Sequence, residues 1–178
     1  RVYSPNRETA CQMASDMQGK GVFPRHLKVM PTAESAVRGA DIICAATSSS
    51  TPVLDHSWLK PGAHINGIGS YQPGMQEIDA ETVKRALVVV DSLEAALAEA
   101  GDLLIPLQTG IISQAHVQTE LGELVAGLKP GRTDALQITF FKSVGVAVQD
   151  AIAGQLAVRN AASRGLGTVV NLHATQAS

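Results

Sequence analysis

Aromatic residues are scarce in this sequence: Trp58, Tyr3, Tyr71, Phe23, Phe140 and Phe141 make up 3% of its 178 residues. So few rings offer no stacking platform for single-stranded nucleic acid. A formal charge of −2 supplies no basic footprint for a phosphate backbone either. Nucleic acid is therefore not an expected partner. Long hydrophobic runs are missing too: no stretch approaches the roughly 18 apolar residues that a spanning helix requires, so no membrane partner is expected. The N-terminal Arg1-Val2-Tyr3-Ser4-Pro5-Asn6 lacks the charged and apolar regions of a signal peptide. Cysteine is nearly absent. Cys11 and Cys44, far apart in sequence, suit reduced, buried thiols in the cytoplasm better than a disulfide framework. The five histidines, His26, His56, His64, His116 and His173, show no metal-ligand spacing with either cysteine, so no metal site is expected. A Gly-x-Ser-x-Gly nucleophile elbow is also absent.

What is present is a globular composition, 45% hydrophobic and 17% charged, in a chain long enough for one sizeable core or one domain with an appended element. Arg1 to Ser4 already has strand character and no initiating methionine precedes it, so the sequence is expected to begin inside a fold. Glu8 to Lys20 spaces Ala10, Met13, Ala14 and Met17 as a helix. Leu27 to Met30 is a short strand, and a helix capped by Thr32 runs to Gly39. Asp41 to Ala46 is a continuous apolar run, expected as a central parallel strand covered on both faces. Trp58 and Leu59 fall in a connecting turn. Asp79 to Arg85 is a helix and Leu87 to Val90 a buried strand, and Asp91-Ser92-Leu93-Glu94 carries a capping-box pattern opening a helix to Ala100. Gly101 to Ala126 is helix-like with breaks at Pro106 and Gly110. Gln137 to Phe141 is the last strand of the sheet. A long helix spans Ser143 to Arg164, and a short strand Thr168 to Leu172 follows. Such a helix leaves the sheet to support a neighbouring domain or packs on its own sheet. Strands alternating with helices at short intervals predict an α/β, Rossmann-like doubly wound parallel sheet.

The most informative segment is Pro61 to Asp79. A turn at Pro61-Gly62 leads into a buried strand from Ala63 to Ile68, which opens into Gly67, Gly69, Pro73 and Gly74. Backbone without side chains at the end of a strand is where an α/β sheet lets a nucleotide approach. Neither glycine pair completes a dinucleotide fingerprint. Gly67-x-Gly69 has Gln72 in the third position, and Gly165-x-Gly167 has Val170.

Five blocks in order resemble the ornithine cyclodeaminase and mu-crystallin family. They are Ala40-Asp41-Ile42-Ile43 with Thr47-Ser48 and Pro52-Val53-Leu54; Lys60-Pro61-Gly62-Ala63-His64-Ile65-Asn66; Val90-Asp91-Ser92; Glu120-Leu121-Gly122-Glu123; and Phe141-Lys142-Ser143-Val144-Gly145 with Gln149-Asp150. The resemblance covers almost the whole chain. It implies a Rossmann-type domain that binds NAD or NADP, paired with a substrate and dimerisation domain, a small amino-acid or imine substrate, and a homodimer when full length. Residues 1–142 would then be a partial dinucleotide-binding domain. Residues 143–178 would be a helix and strand returning toward the substrate domain. The family's first Rossmann strand and its glycine-rich pyrophosphate loop would lie before Arg1, so this stretch alone is expected to be inactive.

Ligands of parallel sheets sit at the carboxyl ends of the strands, which places Ser4, Thr47, Ser48 and the segment Asn66, Gly67 to Gly69 at one crevice. The strand end that meets the adenosine ribose in the family reads Ser4-Pro5-Asn6-Arg7. Arg7 either pairs with a 2′-phosphate, favouring NADP, or is a solvated first-turn arginine. Thr47 and Ser48 resemble the family's cofactor-contacting hydroxyls. Ser143 follows a strand and is expected to open a helix, at a positive helix end, as an N-cap, a ligand contact or both. The family counterpart of Ser143 lies near the nicotinamide carboxamide. Lys142 is expected to be structural or carboxamide-adjacent, with nothing local to depress its pKa. His64 is either a satisfied core histidine or a proton relay.

Chemistry turns on Tyr71. Cyclodeaminases of the family carry a block resembling Gly-x-Asp-x-Pro-Gly-Lys, and here Tyr71 and Met75 occupy the Asp and Lys positions. A neutral phenol is a poor base for directing water onto an iminium carbon. Hydride transfer to a preformed imine demands less, a positioned nicotinamide and a proton source, with Tyr71 as donor or as wall. The resemblance together with this departure implies an NAD(P)-dependent, ketimine reductase-like oxidoreductase. The alternatives are a cyclodeaminase or a crystallin-like protein that sequesters a small ligand.

Overall fold

The computed structural model describes residues 1–168 and 170. Two compact units are present, Arg1–Val144 and a second that starts at Gly145. In the first, four strands form an all-parallel sheet: β1 (Ile42–Ala45), β2 (His64–Gly67), β3 (Leu87–Val90) and β4 (Thr139–Lys142), in the order β1-β2-β4-β3. The chain steps past one position to lay down β3 and then returns to insert β4 beside β2. The expected parallel α/β sheet is what forms, with Asp41 to Ala46 and Ala63 to Ile68 as neighbouring strands.

Register divides the sheet cleanly. Ile65, Phe140, Val88, Val90 and Ala45 point to one face, where they pack with Leu54, Ile78, Val83, Ala96, Ala100, Leu103, Ile112 and Val117 into the core. Phe140, Ile65 and Leu103 are fully buried, each contributing about 1.5–3 kcal/mol relative to exposure. The opposite face carries Ile42, Cys44, His64, Asn66, Thr139, Phe141, Leu87 and Val89 and is only partly covered. β1 is therefore an edge strand of this sheet, with Ile42 67% exposed, and not the doubly covered central strand expected from its apolar run. Cys44 lies on this open face and Cys11 on the outer side of α1 (Arg7–Met17), whose buried positions are Ala10 and Ala14. Both thiols are free as expected, but exposed rather than buried.

Capping explains where the helices begin. Asn6 caps α1, Thr32 and Ser35 make a reciprocal box on α2 (Ala33–Val37), and Asp79 caps α3 (Ala80–Arg85). Each such cap is worth about 1 kcal/mol. α4 (Leu93–Glu99) is capped by Ser92, not by a box from Asp91 to Glu94, because the Asp91 carboxylate is committed elsewhere. Pro106 does not break the next helix. It sits buried within α5 (Gly101–Gln108), where it removes only one amide near the end of a two-turn helix, and Gly110, at φ 72°, marks the exit. α6 (Leu121–Val125) follows a connection that carries a 3-10 turn at Gln114–His116 and a single parallel bridge from Glu120 to Val90. The expected strands at Arg1–Ser4 and Leu27–Met30 reduce to a single parallel bridge between Val2 and Val29.

In the second unit, α7 (Ala147–Ser163) starts after Val146, four residues later than the expected Ser143 start. Its positions Val148, Ile152 and Leu156 are exposed. The strand expected at 168–172 falls largely outside the described residues.

Candidate functional site

The register row Ala45–Gly67–Lys142–Val90 ends all four strands at one edge. Just beyond it emerge Thr47 and Ser48 after β1, Ile68 to Tyr71 after β2, Ser143 after β4 and Asp91 after β3. Parallel strands make this convergence automatic, since every carboxyl end points the same way. Thr47, Ser48, Gly67, Gly69 and Ser143, and Tyr71 next to them in the chain, are thus brought to one edge. Ser4 and Arg7 follow the separate Val2–Val29 bridge, which does not pair with the four-stranded sheet. Ser48 and Arg7 are exposed, Thr47 and Ser4 half-buried, and Tyr71 is 51% exposed.

Beneath this edge lies a chain of buried charges. Glu77 is 0% exposed, and its carboxylate accepts from the amide of Thr47 through one oxygen and from the amides of Gly69 (2.7 Å) and Ser70 (3.0 Å) through the other. Asp102, also fully buried at the start of α5, accepts the amides of Glu77 (2.7 Å) and Ile78 (2.9 Å) through Oδ1. Its Oδ2 lies 3.3 Å from Lys142 Nζ, an ion pair between two groups with no solvent access. Lys142 Nζ also donates to the Gly67 carbonyl at 3.2 Å. Burial pushes the Asp102 carboxyl above its ordinary range, against the pull of the Ile78 and Glu77 amides and of Lys142. Burial likewise draws the Lys142 ammonium below its ordinary value, against the opposing effect of Asp102. The expectation that nothing local would depress Lys142 is thereby overturned; a lysine placed last on an inner strand loses its water to the core.

The other sites resolve individually. Ser143 is buried and does not cap a helix: its hydroxyl donates to Asp91 Oδ2 at 2.7 Å, and the amide of Val144 donates to the same oxygen at 3.1 Å. The glycines are demanded by internal packing. A Cβ on Gly69 would run into the Thr47 backbone and lie 2.5 Å from Glu77 Oε1, and one on Gly67 would lie 2.8 Å from the Phe140 ring. Thr47 Oγ1 accepts the Ser49 amide at 3.2 Å. His64 is satisfied on both nitrogens, by Thr139 Oγ1 (2.7 Å) and Asn66 Oδ1 (3.1 Å), on the open sheet face away from the strand ends. Asn66 shares that face and donates toward Cys44 Sγ at 3.6 Å, so its side chain does not point along the crevice edge.

Sequence reasoning missed Glu77, Asp102 and the role of Asp91. A signal existed for the second: Asp102 is the lone charge in the apolar run Gly101 to Leu107, and an isolated charge in such a run belongs to a buried partner. Glu77 carried no comparable signal, because its partners are backbone amides.

The donor set suits the ribose and carboxamide ends of a nicotinamide dinucleotide: small hydroxyls at the strand ends, a cation at Arg7, and no carboxylate at Ser4-Pro5-Asn6. It does not provide for the pyrophosphate, since no three-glycine turn occurs in the sequence.

The profile of the ornithine cyclodeaminase/mu-crystallin family matches residues 1–165. The chain is 41% identical over 156 residues to the ketimine reductase mu-crystallin of Rattus norvegicus, covering 88% of this chain and 45% of that protein. Among solved structures it resembles Thermococcus litoralis Δ1-pyrroline-2-carboxylate reductase in complex with NADH and L-proline, at a TM-score of 0.86 and 40% identity, covering 95% of this chain and 52% of that one. It also resembles an archaeal alanine dehydrogenase dimer with bound NAD, at a TM-score of 0.80 and 35% identity, covering 96% and 51%. The chain spans about half the length of the curated relatives it matches.

Proposed function

The chain belongs to the ornithine cyclodeaminase/mu-crystallin family, and from that premise we propose that it forms the dinucleotide-binding part of an NAD(P)-dependent reductase of cyclic imino acids. The observation that carries this reading is the single edge at which three parallel strands end in Thr47-Ser48, Gly67 to Ser70 and Lys142-Ser143. Likeness to relatives named as ketimine and pyrroline-2-carboxylate reductases supports the substrate class. Likeness to structures holding NADH or NAD supports the cofactor.

Thr47, Ser48 and Ser143 would hold a reduced nicotinamide dinucleotide at this edge, where the bound cofactor would supply the hydride for the imine carbon while a proton goes to the imine nitrogen, giving a secondary amine. Thr47 and Ser48 bind the dinucleotide through their hydroxyls. Ser143 gives its hydroxyl proton to Asp91, so toward a carboxamide its oxygen acts as acceptor. Ser4 and Arg7 serve the adenosine ribose, and the absence of an acidic residue there leaves room for a 2′-phosphate. Tyr71, half exposed beside the glycine loop, offers a phenol as proton donor or pocket wall. It also stands where a cyclodeaminase would place a carboxylate, which argues against ornithine cyclisation. The archaeal dimer supports a homodimer for the intact protein.

The test is to give the intact protein Δ1-pyrroline-2-carboxylate with NADH or NADPH and, separately, L-ornithine with NAD. Imine-dependent oxidation of the reduced cofactor is expected, with no proline from ornithine. Proline formation from ornithine without imine turnover would refute the reading.

A further inference from the structure

The two loops that present Thr47, Gly69 and Ser70 come from different strands, and nothing in a parallel sheet beyond the last register pair holds such loops together. Here the Glu77 side chain does so nearest the strand ends, and further along backbone bonds add to it, from the Gln76 amide to the Ser49 carbonyl (2.9 Å) and from the Val53 amide to the Glu77 carbonyl (2.8 Å). Glu77 accepts from Thr47 with one carboxylate oxygen and from Gly69 and Ser70 with the other, so a single buried anion spans the gap between the end of β1 and the end of β2. Gly69 is packed so closely against the Thr47 backbone that no side chain fits between them, a separation short enough for one carboxylate to bridge. The anion is itself anchored. Its own backbone amide and that of Ile78 are held by Asp102 Oδ1, the Ser70 hydroxyl accepts the Asp102 amide at 3.2 Å and donates to the Met75 carbonyl at 2.8 Å, and Lys142 joins Asp102 to the Gly67 carbonyl.

We propose that Glu77 is a positioning residue for dinucleotide binding: by clamping the loops after β1 and β2 it presets the spacing of the strand-end groups that meet the cofactor. This rests on the functional reading above and adds to it a residue that touches neither substrate nor cofactor. Three amide donors hold its two carboxylate oxygens, an arrangement that only an acceptor on both oxygens satisfies, and Asp102 and Lys142 are the titratable groups that its charge reaches. Glutamine in its place keeps the shape but turns an NH2 donor toward one of the two loops. The side with two acceptances, Gly69 and Ser70, retains the oxygen, and Thr47 is the amide released.

The experiment compares the intact wild-type protein with Glu77→Gln and Glu77→Ala, and with Glu34→Gln as a control in the exposed pair with Arg38. Amide hydrogen exchange is the first readout. Glu77→Gln should speed exchange at Thr47 while β3 stays protected, and Glu77→Ala, if it folds, should speed it at Thr47, Gly69 and Ser70 together. Steady-state kinetics with a cyclic imino acid is the second. Loss of one charge-assisted hydrogen bond from a preset site should raise the dinucleotide KM by about tenfold or more in Glu77→Gln, with the imine KM within about twofold. Unchanged Thr47 exchange in Glu77→Gln overturns the clamp. Equal changes in the two KM values, or a lowered thermal midpoint with neither changed, reduce Glu77 to a stabilising residue and overturn the positioning role. A wild-type protein that neither binds dinucleotide nor reduces imine overturns the functional reading and with it the positioning role, whereas the clamp is decided by exchange alone.

Discussion

Gly69 has no space for a side chain, and the reason differs from the one its sequence context suggests. A Gly-x-Gly at the end of a strand reads as room for a nucleotide, yet the atoms that a Cβ would meet are the Thr47 backbone and Glu77 Oε1. Replacement by alanine must push the two loops apart or shift the clamp. Gly69→Ala is expected to destabilise the first unit by about 1–3 kcal/mol, the usual cost of overpacking. Gly122, in α6, has an ordinary helical backbone and open space around its Cα, so Gly122→Ala is expected to stabilise by about 0.5–1 kcal/mol through reduced chain entropy. Urea denaturation of the two variants should therefore move the midpoint in opposite directions. A Gly69→Ala midpoint equal to wild type would show that the loops are free to adjust.

At the scale of elements, the Lys142–Asp102 pair joins the last residues of β4 to the first turn of α5, and its energetics depend on both partners staying. Removing one partner of a buried pair strands the other, typically at 3–5 kcal/mol. Lys142→Met should cost about that much near neutral pH, where it leaves the buried Asp102 carboxylate without its cation. Acid should relieve the penalty. The folded carboxyl already titrates above its ordinary value of 3.8, so the folded state holds this proton more tightly than the unfolded one. Stability linked to this group therefore rises as pH falls through the folded pKa and levels off below the unfolded value, and loss of Lys142 pushes the folded pKa further up. The difference in stability between Lys142→Met and wild type should shrink on going from pH 8 toward the acid side of neutrality, as followed by denaturant melts across that range (~pH 5–8). A penalty that is constant with pH would mean that Asp102 finds another cation. The same elements show what can be read from sequence. The parallel strands and the helix cap at Thr32 were legible because local pattern dictates them, whereas the caps at Asn6 and Asp79 emerged only with the structure. The edge position of β1, the burial of Lys142 and the diversion of Asp91 from its helix to Ser143 were not, since each depends on which strand lies alongside. Pro106 misleads for a related reason: a proline costs a helix little where few amides remain to be bonded.

At the scale of the whole molecule, the proposed dinucleotide reading gives the edge that gathers Thr47, Ser48 and Ser143 groups for the nicotinamide end and leaves the doubly charged middle of the cofactor without a cradle. Phosphates are held by clustered backbone amides at a glycine turn and helix N-terminus, and the amides of Thr47, Gly69 and Ser70 are already spent on Glu77. Hydrogen bonds to a charged group are worth about 1.5–3 kcal/mol each, so lacking two or three of them weakens binding by a factor on the order of 10² or more. The 178-residue chain alone should therefore bind NADH or NADPH no tighter than the high micromolar to millimolar range, although the sheet is intact and the strand-end hydroxyls are in place. Calorimetric titration of the isolated chain with each cofactor measures this directly, with folding checked by circular dichroism in the same sample. Sub-micromolar affinity would mean that these residues hold the pyrophosphate by a route other than a glycine turn, with the Glu77 clamp opening to release its amides as the first place to look. Weak binding with retained structure would locate the missing affinity in the glycine turn that this sequence lacks.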